Sequence, residues 1–220
     1  MTATTLSDVE FGVRSIANTV TTNEKYFGEL DSVVGDGDFG FSLARGFEAV
    51  LEGWDDYSRD DIGSFLQGVA LTISRRIGGT SGPIWGTAFL RAAVVAKGLT
   101  ELGVDETVAM LRAAIEGIKA RGKAEVGDKT LLDALVPMTD AVEAATSGPL
   151  LSLAATTARS AAEAASALQA RRGRASYSGE RSIGVPDAGA IAVAVIVERL
   201  TEDWRQHSEA ASTAEGGSER

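Results

Sequence analysis

Asp31-Ser-Val-Val-Gly-Asp-Gly-Asp-Phe-Gly40 lies between two segments with helical signals and contains three carboxylates and three glycines. A plain turn between helices is short and needs only one or two such residues. Carboxylate oxygens are the ligands that Mg²⁺ prefers, and its coordination is usually completed by waters and by the phosphates of a substrate. The stretch therefore predicts a metal-phosphate site in a loop between helices.

Two other interpretations of this loop remain open. Gly35, Gly37 and Gly40 satisfy the dinucleotide-binding pattern G-x-G-x-x-G. Asp36 and Asp38 would repel a pyrophosphate unless a cation lay between them, so the metal interpretation is favoured. The second alternative is an ordinary acidic surface turn, in which Asp and Gly are both common.

The segments on either side of this loop, and most of those that follow, have the periodicity of helices. The first begins with Ser7 and Glu10 at the spacing of a capping box. The stretch Ile191–Val197 alternates like a strand, but Asp187 as a cap and a run too long for a typical strand favour a helix. We predict eight helices, at about 5–29, 41–53, 59–77, 82–98, 105–120, 130–146, 149–172 and 187–206. The predicted fold is all-α, an up-and-down eight-helix barrel or bundle.

The loops between these helices are unusually rich in Gly, Asp, Ser and Thr. An up-and-down bundle brings alternate loops to the same end, where they can build a single site. The loop 78–82 runs into an apolar helix, so free N–H groups and two hydroxyls meet at a helix N-terminus, as in many anion sites. A simple capping turn at Thr80 or Ser81 remains the alternative there. The five loops of this composition are 30–40, 78–82, 121–130, 173–182 and 183–189.

Composition limits the classes of function. The chain has 220 residues, 44% of them hydrophobic, and we predict one folded domain over residues 1–207. A formal net charge of −10 disfavours nucleic acid as a partner, because its phosphates require a basic surface. The absence of cysteine excludes disulfides, thiolate metal sites and a cysteine nucleophile.

The two ends of the chain add further expectations. The first residues lack the basic and apolar regions of a signal peptide, and no apolar run is long enough for a membrane span, so we expect a soluble cytoplasmic protein. Residues 208–220 have the composition of a disordered tail. The only histidine, His207, adjoins that tail, so we expect the folded body to hold no imidazole. That would exclude a Ser-His-Asp triad, a histidine zinc site and a phosphohistidine.

Seven short motifs together resemble the nucleotide-binding L subunit of dihydroxyacetone kinase, which also forms the C-terminal domain of single-chain kinases. The resemblance implies an eight-helix barrel whose loops at one end hold ADP or ATP through two Mg²⁺ ions. The motifs are, in order, Gly35-Asp-Gly-Asp38, Gly79-Thr-Ser-Gly82, Arg121-Gly-Lys-Ala-Glu125, Gly127-Asp-Lys-Thr130, Gly173-Arg-Ala-Ser-Tyr177, Gly179-Glu-Arg-Ser182 and Pro186-Asp-Ala-Gly189.

The resemblance also implies roles for individual residues. Asp31, Asp36 and Asp38 would be the metal ligands. The residues implied around the phosphates are Phe39, Gly40, Phe41, Ser42, Thr80 and Ser81. Those implied in the rest of the nucleotide pocket are Gly122, Leu131, Arg174, Asp187, Ala188 and Gly189, with Leu131 against the adenine where relatives often have methionine.

One position departs from the family pattern, because Phe39 stands where most relatives have histidine. The metal ligands survive this change, but a polar contact near the phosphates is lost. We therefore expect the nucleotide donor or the acceptor sugar to differ from the family norm.

The resemblance implies a kinase subunit that is inactive alone. It would pass phosphate to a small ketose, dihydroxyacetone or a close relative, bound on a separate K subunit. The phosphate would pass through a tightly held ADP coenzyme, rephosphorylated in place by a phosphohistidine protein of the phosphotransferase system. Two alternatives stay open: an ATP-dependent subunit of a kinase for three- to four-carbon sugars, and a non-catalytic nucleotide-binding regulator.

Overall fold

The computed structural model describes residues 3–216, with side chains as far as residue 209. Its secondary structure is almost entirely helical, so the all-α prediction is confirmed. The described α-helices are α1 Leu6–Thr22, α2 Glu24–Ser32, α3 Phe39–Glu52, α4 Ile62–Arg76, α5 Ser81–Val95, α6 Val104–Gly122, α7 Leu132–Ala144, α8 Leu150–Ala164 and α9 Ala188–Gly216. The described residues also form two short strands, β1 Thr4–Thr5 and β2 Glu101–Leu102. Three 3₁₀ helices complete the described secondary structure, at Trp54–Asp56, Ala165–Ala167 and Arg174–Ser182.

The first predicted helix is two helices, because Asn23 ends α1. Both the backbone N–H and the side-chain amide of Asn23 donate to the carbonyl of Thr19, at 3.1 and 2.8 Å. The predicted capping box is also displaced. It lies at Thr5 and Asp8 rather than at Ser7 and Glu10, because α1 begins directly after β1.

Two later helices test the predicted boundaries further. The predicted helix 149–172 is too long, since α8 ends at Ala164 and the chain then turns away from the helix axis. The segment Ile191–Val197 is helical as predicted. Its near-continuous apolar sequence follows from burial on almost every side of α9, where even the small side chains of Ala190, Ala192 and Ala194 are fully covered.

The helices form a closed ring in chain order. From α3 onwards each α-helix packs against the next, α1 packs on α3, and α9 returns to pack against α1. The interior is filled by apolar side chains from every helix around the ring. Its fully buried large members include Phe27, Leu43, Phe47, Phe65 and Ile73.

The up-and-down order gives the barrel two different ends. We call one the site end, formed by the connections 33–38, 77–80, 123–131 and 165–187. The other, the strand end, holds the connections 53–61, 96–103 and 145–149, and here β1 pairs antiparallel with β2. The five glycine-rich loops of the sequence therefore meet at the site end.

The C-terminal region differs from the prediction. His207 lies in α9, where its ring stacks on Phe11 with centroids 4.2 Å apart and its Nε2 lies 3.6 Å from an Asp8 oxygen. The folded body thus contains an imidazole, but at the strand end, where α1 begins. Helix α9 continues past residue 207 to Gly216, and residues 217–220 lie outside the described residues, so the disordered tail stays a prediction. Within residues 3–216, no helix has both the length and the apolar character needed to cross a membrane.

Candidate functional site

Three carboxylates converge where α2 ends and α3 begins. Asp31 lies in the last turn of α2, and Asp36 and Asp38 follow in the loop. The Asp31 Oδ2 accepts a hydrogen bond of 2.8 Å from the Gly37 N–H, and its carbonyl accepts one of 2.6 Å from the Gly35 N–H. These bonds curl the loop so that one oxygen of each carboxylate lies within 4.8 Å of the others.

Glycine is required at position 35 by this curl. A Cβ added at Gly35 would lie 2.2 Å from Asp31 Oδ1 and 2.8 Å from the Asp31 carbonyl oxygen, so both the carboxylate and the backbone would have to shift. Gly37 has a φ of 78°, in the left-handed region that glycine adopts without strain. The alternation of Asp and Gly in the sequence thus reflects a loop folded tightly around its own acid groups.

The electrostatics of this loop suit a bound cation. Burial and the neighbouring Asp36 carboxylate raise the pKa of Asp38, while the Arg174 guanidinium opposes that rise. Arg174 forms a close ion pair with Asp36 and lies 3.9 Å from an Asp38 oxygen. Hard oxygen donors this close together are the donor set that Mg²⁺ binds, and a divalent ion would relieve their mutual repulsion. The residues present therefore fit a divalent cation.

The carboxylates form one wall of a cavity of about 210 Å³ at the site end. All four connections of that end contribute to its lining, as the up-and-down topology predicts. Ten of the twelve residues predicted around a nucleotide line it together with the three acids. The ten are Phe39, Ser42, Thr80, Ser81, Gly122, Leu131, Arg174, Asp187, Ala188 and Gly189.

The other two predicted residues, Gly40 and Phe41, do not line this cavity. Gly40 is buried against α2, where an added Cβ would lie 2.0 Å from the Glu24 carbonyl oxygen. The Phe41 ring is 56% exposed and faces a separate open depression on the flank of α3. Any role for these two residues would have to come from their backbone groups in the first turn of α3, and their assignment stays a prediction.

Two helix N-termini open into the cavity. The first residues of α3 and α5 have no side-chain cap, although Asp38 and Thr80 occupy the N-cap positions. A Cβ added at Gly78 or Gly79, just before α5, would meet no atom within 4 Å. The uncapped N–H groups, the positive end of each helix dipole and the open backbone together make an anion site beside the acid loop.

The wall away from the acids is apolar. Ile84, Trp85 and Ile118 line the cavity there, together with Leu131. Leu131 lies over Gly189, whose added Cβ would approach within 3.4 Å of the Leu131 Cβ. Such a surface suits a flat heterocycle, whereas the acid loop and the helix N-termini suit phosphates.

Phe39 packs inward rather than towards solvent. Its ring lies 6.2 Å from that of Phe27 and rests against the main core, with part of its surface lining the cavity. As the first residue of α3, it stands beside the uncapped amides. The position therefore offers the cavity an apolar edge in place of a hydrogen-bonding group.

Several lining residues were not singled out from the sequence. Lys129 and Arg172 both line the cavity, and Lys129 is 2% exposed. Burial lowers the pKa of Lys129, and burial raises the pKa of Asp187 to about 6. Lys129 belongs to the motif Gly127-Asp-Lys-Thr130, but nothing in the local sequence predicts its burial, whereas the run Arg171-Arg172-Gly173-Arg174 was an available signal for Arg172.

Several known proteins are similar to this chain in sequence and in fold. Residues 33–202 match the DAK2 domain. The chain is 39% identical over 185 residues to the ADP-binding subunit of the PEP-dependent dihydroxyacetone kinase of Escherichia coli (strain K12), across 82% of this chain and 88% of that protein. It is 38% identical over 189 residues to the L-erythrulose 1-kinase of Mycolicibacterium smegmatis, across 82% of this chain and 32% of that protein.

A solved structure supports the fold. The dihydroxyacetone kinase from C. freundii, in complex with AMP-PNP and Mg²⁺, matches with a TM-score of 0.69 at 23% identity, over 87% of this chain and 33% of that one. This chain therefore spans about a third of the C. freundii kinase and of the M. smegmatis kinase. The domain match and the identity to the E. coli subunit show that the chain belongs to the DAK2 domain family, the family of the dihydroxyacetone kinase L subunits that its loop motifs resemble.

Proposed function

We propose that this chain is the nucleotide-binding subunit of a dihydroxyacetone kinase, acting on a small ketose held by a separate K subunit. The observation that carries the proposal is one cavity that combines three carboxylates, two uncapped helix N-termini and an apolar wall. ADP and ATP offer the matching groups, which are metal-binding phosphates, anionic oxygens and a flat base. The ADP-binding E. coli relative and the AMP-PNP and Mg²⁺ complex of the C. freundii kinase support the same ligand class.

Each part of the cavity has a role in this proposal. Asp31, Asp36 and Asp38 hold two Mg²⁺ ions, whose charge offsets that of the phosphates when they are bound. The Thr80 and Ser81 hydroxyls and the uncapped amides hold the phosphoryl oxygens, so that the transferred group stays in line with its acceptor. Arg174 supplies a further positive charge, while Leu131 and Asp187 to Gly189 enclose the nucleoside.

The phosphate donor is the finer part of the proposal. We favour an ADP that stays bound as a coenzyme and is rephosphorylated by a phosphohistidine protein of the phosphotransferase system. Two relatives support this choice by name: the E. coli protein is the ADP-binding subunit of a PEP-dependent kinase, and a Lactococcus lactis protein, 34% identical over 180 residues, is that of a PTS-dependent one. A coenzyme that survives hours of gel filtration needs an off-rate of about 10⁻⁴ s⁻¹ or slower, and an on-rate of roughly 10⁶ M⁻¹s⁻¹ then gives a Kd near 10⁻¹⁰ M.

A second candidate is an ATP-dependent kinase for a four-carbon ketose. Two observations favour it, namely the 38% identity to L-erythrulose 1-kinase and the apolar Phe39 ring at the edge of the cavity. An ATP substrate would bind at micromolar levels and leave the protein on the column.

The experiment has two steps. The protein is purified without added nucleotide and denatured, and the supernatant is analysed by mass spectrometry, where near-stoichiometric ADP supports the coenzyme and an empty protein supports the ATP substrate. Dihydroxyacetone and L-erythrulose are then assayed with the chain alone and with a K subunit, using ATP or the phosphorylated donor protein. We expect turnover only with the K subunit. Robust turnover by the chain alone would refute the two-subunit proposal.

A further inference from the structure

Lys129 is a buried lysine whose three ammonium hydrogens all have protein acceptors. Its Nζ donates to the carbonyl oxygens of Ser166, Leu168 and Ser182, at 3.1, 2.9 and 2.5 Å. The side chain is 2% exposed, and burying an ammonium without such partners would be very costly. The Lys129 ammonium thus bonds to both ends of the segment 166–182, although that segment lies far from Lys129 in the sequence.

The backbone of Lys129 indicates that its side chain, rather than the turn, requires this residue. Its φ is 61°, in the left-handed region where glycine is free of strain and lysine is not. The loop already uses glycine for such a turn at Gly127, with a φ of 95°. The exposed Lys123 adopts a similar φ of 50°, so the three carbonyl contacts of the buried Nζ, and not the positive φ alone, point to a contribution from the ammonium group.

The neighbouring residue fastens the same segment from the same side. The Asp128 Oδ2 accepts a hydrogen bond of 3.0 Å from Arg172 Nε, and its carbonyl accepts one of 3.0 Å from the Arg171 N–H. Asp133 in turn holds this loop, accepting hydrogen bonds from Gly127 N–H and Thr130 N–H at 2.6 and 2.7 Å. The connection 123–131 is thus a bonded platform beneath the arginine-bearing segment.

The segment that this platform holds has little packing of its own. The Arg174 side chain is 59% exposed and Tyr177 is 90% exposed. Gly173 and Gly179 both have positive φ, and Gly179 interrupts the 3₁₀ turns. It also contacts the acid loop, through the Arg174–Asp36 ion pair and a 3.2 Å bond from the Ser178 hydroxyl to the Val34 carbonyl. The position of its arginines depends on these contacts and on where its ends are fastened.

From this geometry we infer that Lys129 is a positioning residue, which holds the segment 166–182 so that Arg172 and Arg174 face the cavity. The inference deepens the proposed function and rests on it for the identity of the ligand. Lys129 acts through the arginines and is not assigned a contact with the nucleotide.

The test compares Lys129→Met with a matched control, Lys123→Met. Lys123 is also a lysine with left-handed φ, 50°, in the same connection, but it is exposed. Amide hydrogen exchange in the nucleotide-free protein should accelerate by about tenfold or more between residues 169 and 183 in Lys129→Met, with α3 and α9 unchanged. The control should leave all exchange rates as in the wild type. No change in 169–183, or an equal acceleration throughout the helices, would overturn the inference.

Lys129→Gly provides the second variant. It relieves the backbone strain and removes only the side chain, so it should fold even if the methionine variant does not. We expect it to show the same local acceleration of exchange. A glycine variant that matches the wild type would mean that the residue serves the turn alone, and would overturn the inference.

Measurements of ADP affinity test whether Lys129 acts through the arginines. ADP affinity should fall about tenfold in the Lys129 variant, because a displaced guanidinium no longer meets the phosphates. In a background that carries both Arg172→Gln and Arg174→Gln, the same substitution should cost less than about twofold, because Lys129 acts through those two arginines. An equal loss of ADP affinity in both backgrounds would show that Lys129 does not act through the arginines. If the wild type binds no ADP, the proposed function fails, while the exchange experiment still decides the role of Lys129.

Discussion

The two ends of the barrel differ in how their helix N-termini are capped by side chains. At the strand end, α1, α4 and α6 begin with side-chain bonds from Thr5 with Asp8, from Asp61 and from Glu106. At the site end, α3 and α5 begin without a side-chain cap. There are exceptions, since α8 starts uncapped after Pro149, whereas at the site end Asp187 caps α9 and the Thr130 hydroxyl accepts a bond from the first N–H of α7. The comparison teaches that most of the strand end satisfies its own backbone, whereas the site end leaves N–H groups for a ligand.

The side chains follow the same division. The strand end contains edge-to-face contacts among Trp54, Tyr57 and Phe65, with the Arg14 guanidinium 3.9 Å above the Trp54 ring. The site end brings three like-charged acids together, buries Lys129 and leaves Asp187 partly buried in the cavity wall. Aromatic packing thus stabilises the strand end, whereas the site end holds like-charged and ionisable groups close together, as is common where a site needs preorganised groups.

The largest effect is expected from Phe65→Ala at the strand end. Phe65 is fully buried between Trp54 and Tyr57, with ring centroids at 5.4 and 5.9 Å. Its loss should lower the free energy of unfolding by about 3–5 kcal/mol. Phe39→Ala at the site end is the matched variant and should cost less than half as much, because Phe39 is only partly buried. Urea unfolding measures both, and equal losses would remove the contrast.

A smaller, pH-dependent effect is expected from Asp187→Asn. Burial raises the folded-state pKa of Asp187 to about 6, above its ordinary 3.8, so the folded state favours the protonated acid. Wild-type stability from this group is therefore greatest at low pH and is lost as the pH rises through about 6. Asparagine keeps an oxygen for the Ala190 N–H, which now bonds to Asp187 Oδ1 at 2.8 Å, and does not titrate.

The free energy of unfolding of Asp187→Asn should consequently increase relative to that of the wild type as the pH rises. The difference in unfolding free energy should shift in its favour by about 1.5 kcal/mol between pH 5 and pH 8. Unfolding titrations at several pH values measure this shift. A constant difference across that range would show that Asp187 does not titrate there.

The smallest effect separates the two kinds of helix start. Asp61→Ala removes the 2.7 Å bond from Ser64 N–H at the start of α4 and should cost about 1 kcal/mol. Thr80→Ala, at the uncapped start of α5, should change stability by less than about 0.5 kcal/mol. Thermal unfolding of both variants gives the comparison. A larger loss for Thr80→Ala would mean that its hydroxyl serves the fold.

The sequence predicts those parts of the fold that depend on local pattern. Helix positions follow from apolar periodicity, and Asp31, Asp36 and Asp38 are recognisable because one short loop holds all three. The break at Asn23 could not be predicted in this way, since asparagine inside a helix is tolerated and only its bond to the Thr19 carbonyl decides the outcome. The early end of α8 depends on distant residues as well.

Lys129 lies in a recognisable motif, but its contacts are the clearest case of information absent from local sequence. Its acceptors at Ser166, Leu168 and Ser182 lie 37, 39 and 53 residues away along the chain. The same contacts draw the chain out of α8, which the periodicity extended to residue 172. The position of His207 on Phe11 likewise depends on how α9 returns to α1. Such residues become recognisable only when the ring of helices has closed.

Calorimetric titration of ADP into protein first freed of bound nucleotide, with and without Mg²⁺, tests the central claim most directly, namely that the acid loop and the site-end helix starts bind a metal-bound nucleotide. The wild type should bind ADP in a Mg²⁺-dependent manner. Asp36→Asn and Asp38→Asn should each weaken that binding by more than about 100-fold while the helical circular dichroism stays as in the wild type. Asp55→Asn, an exposed acid at the strand end, is the control and should bind normally. Unchanged affinity in both acid-loop variants would contradict the account.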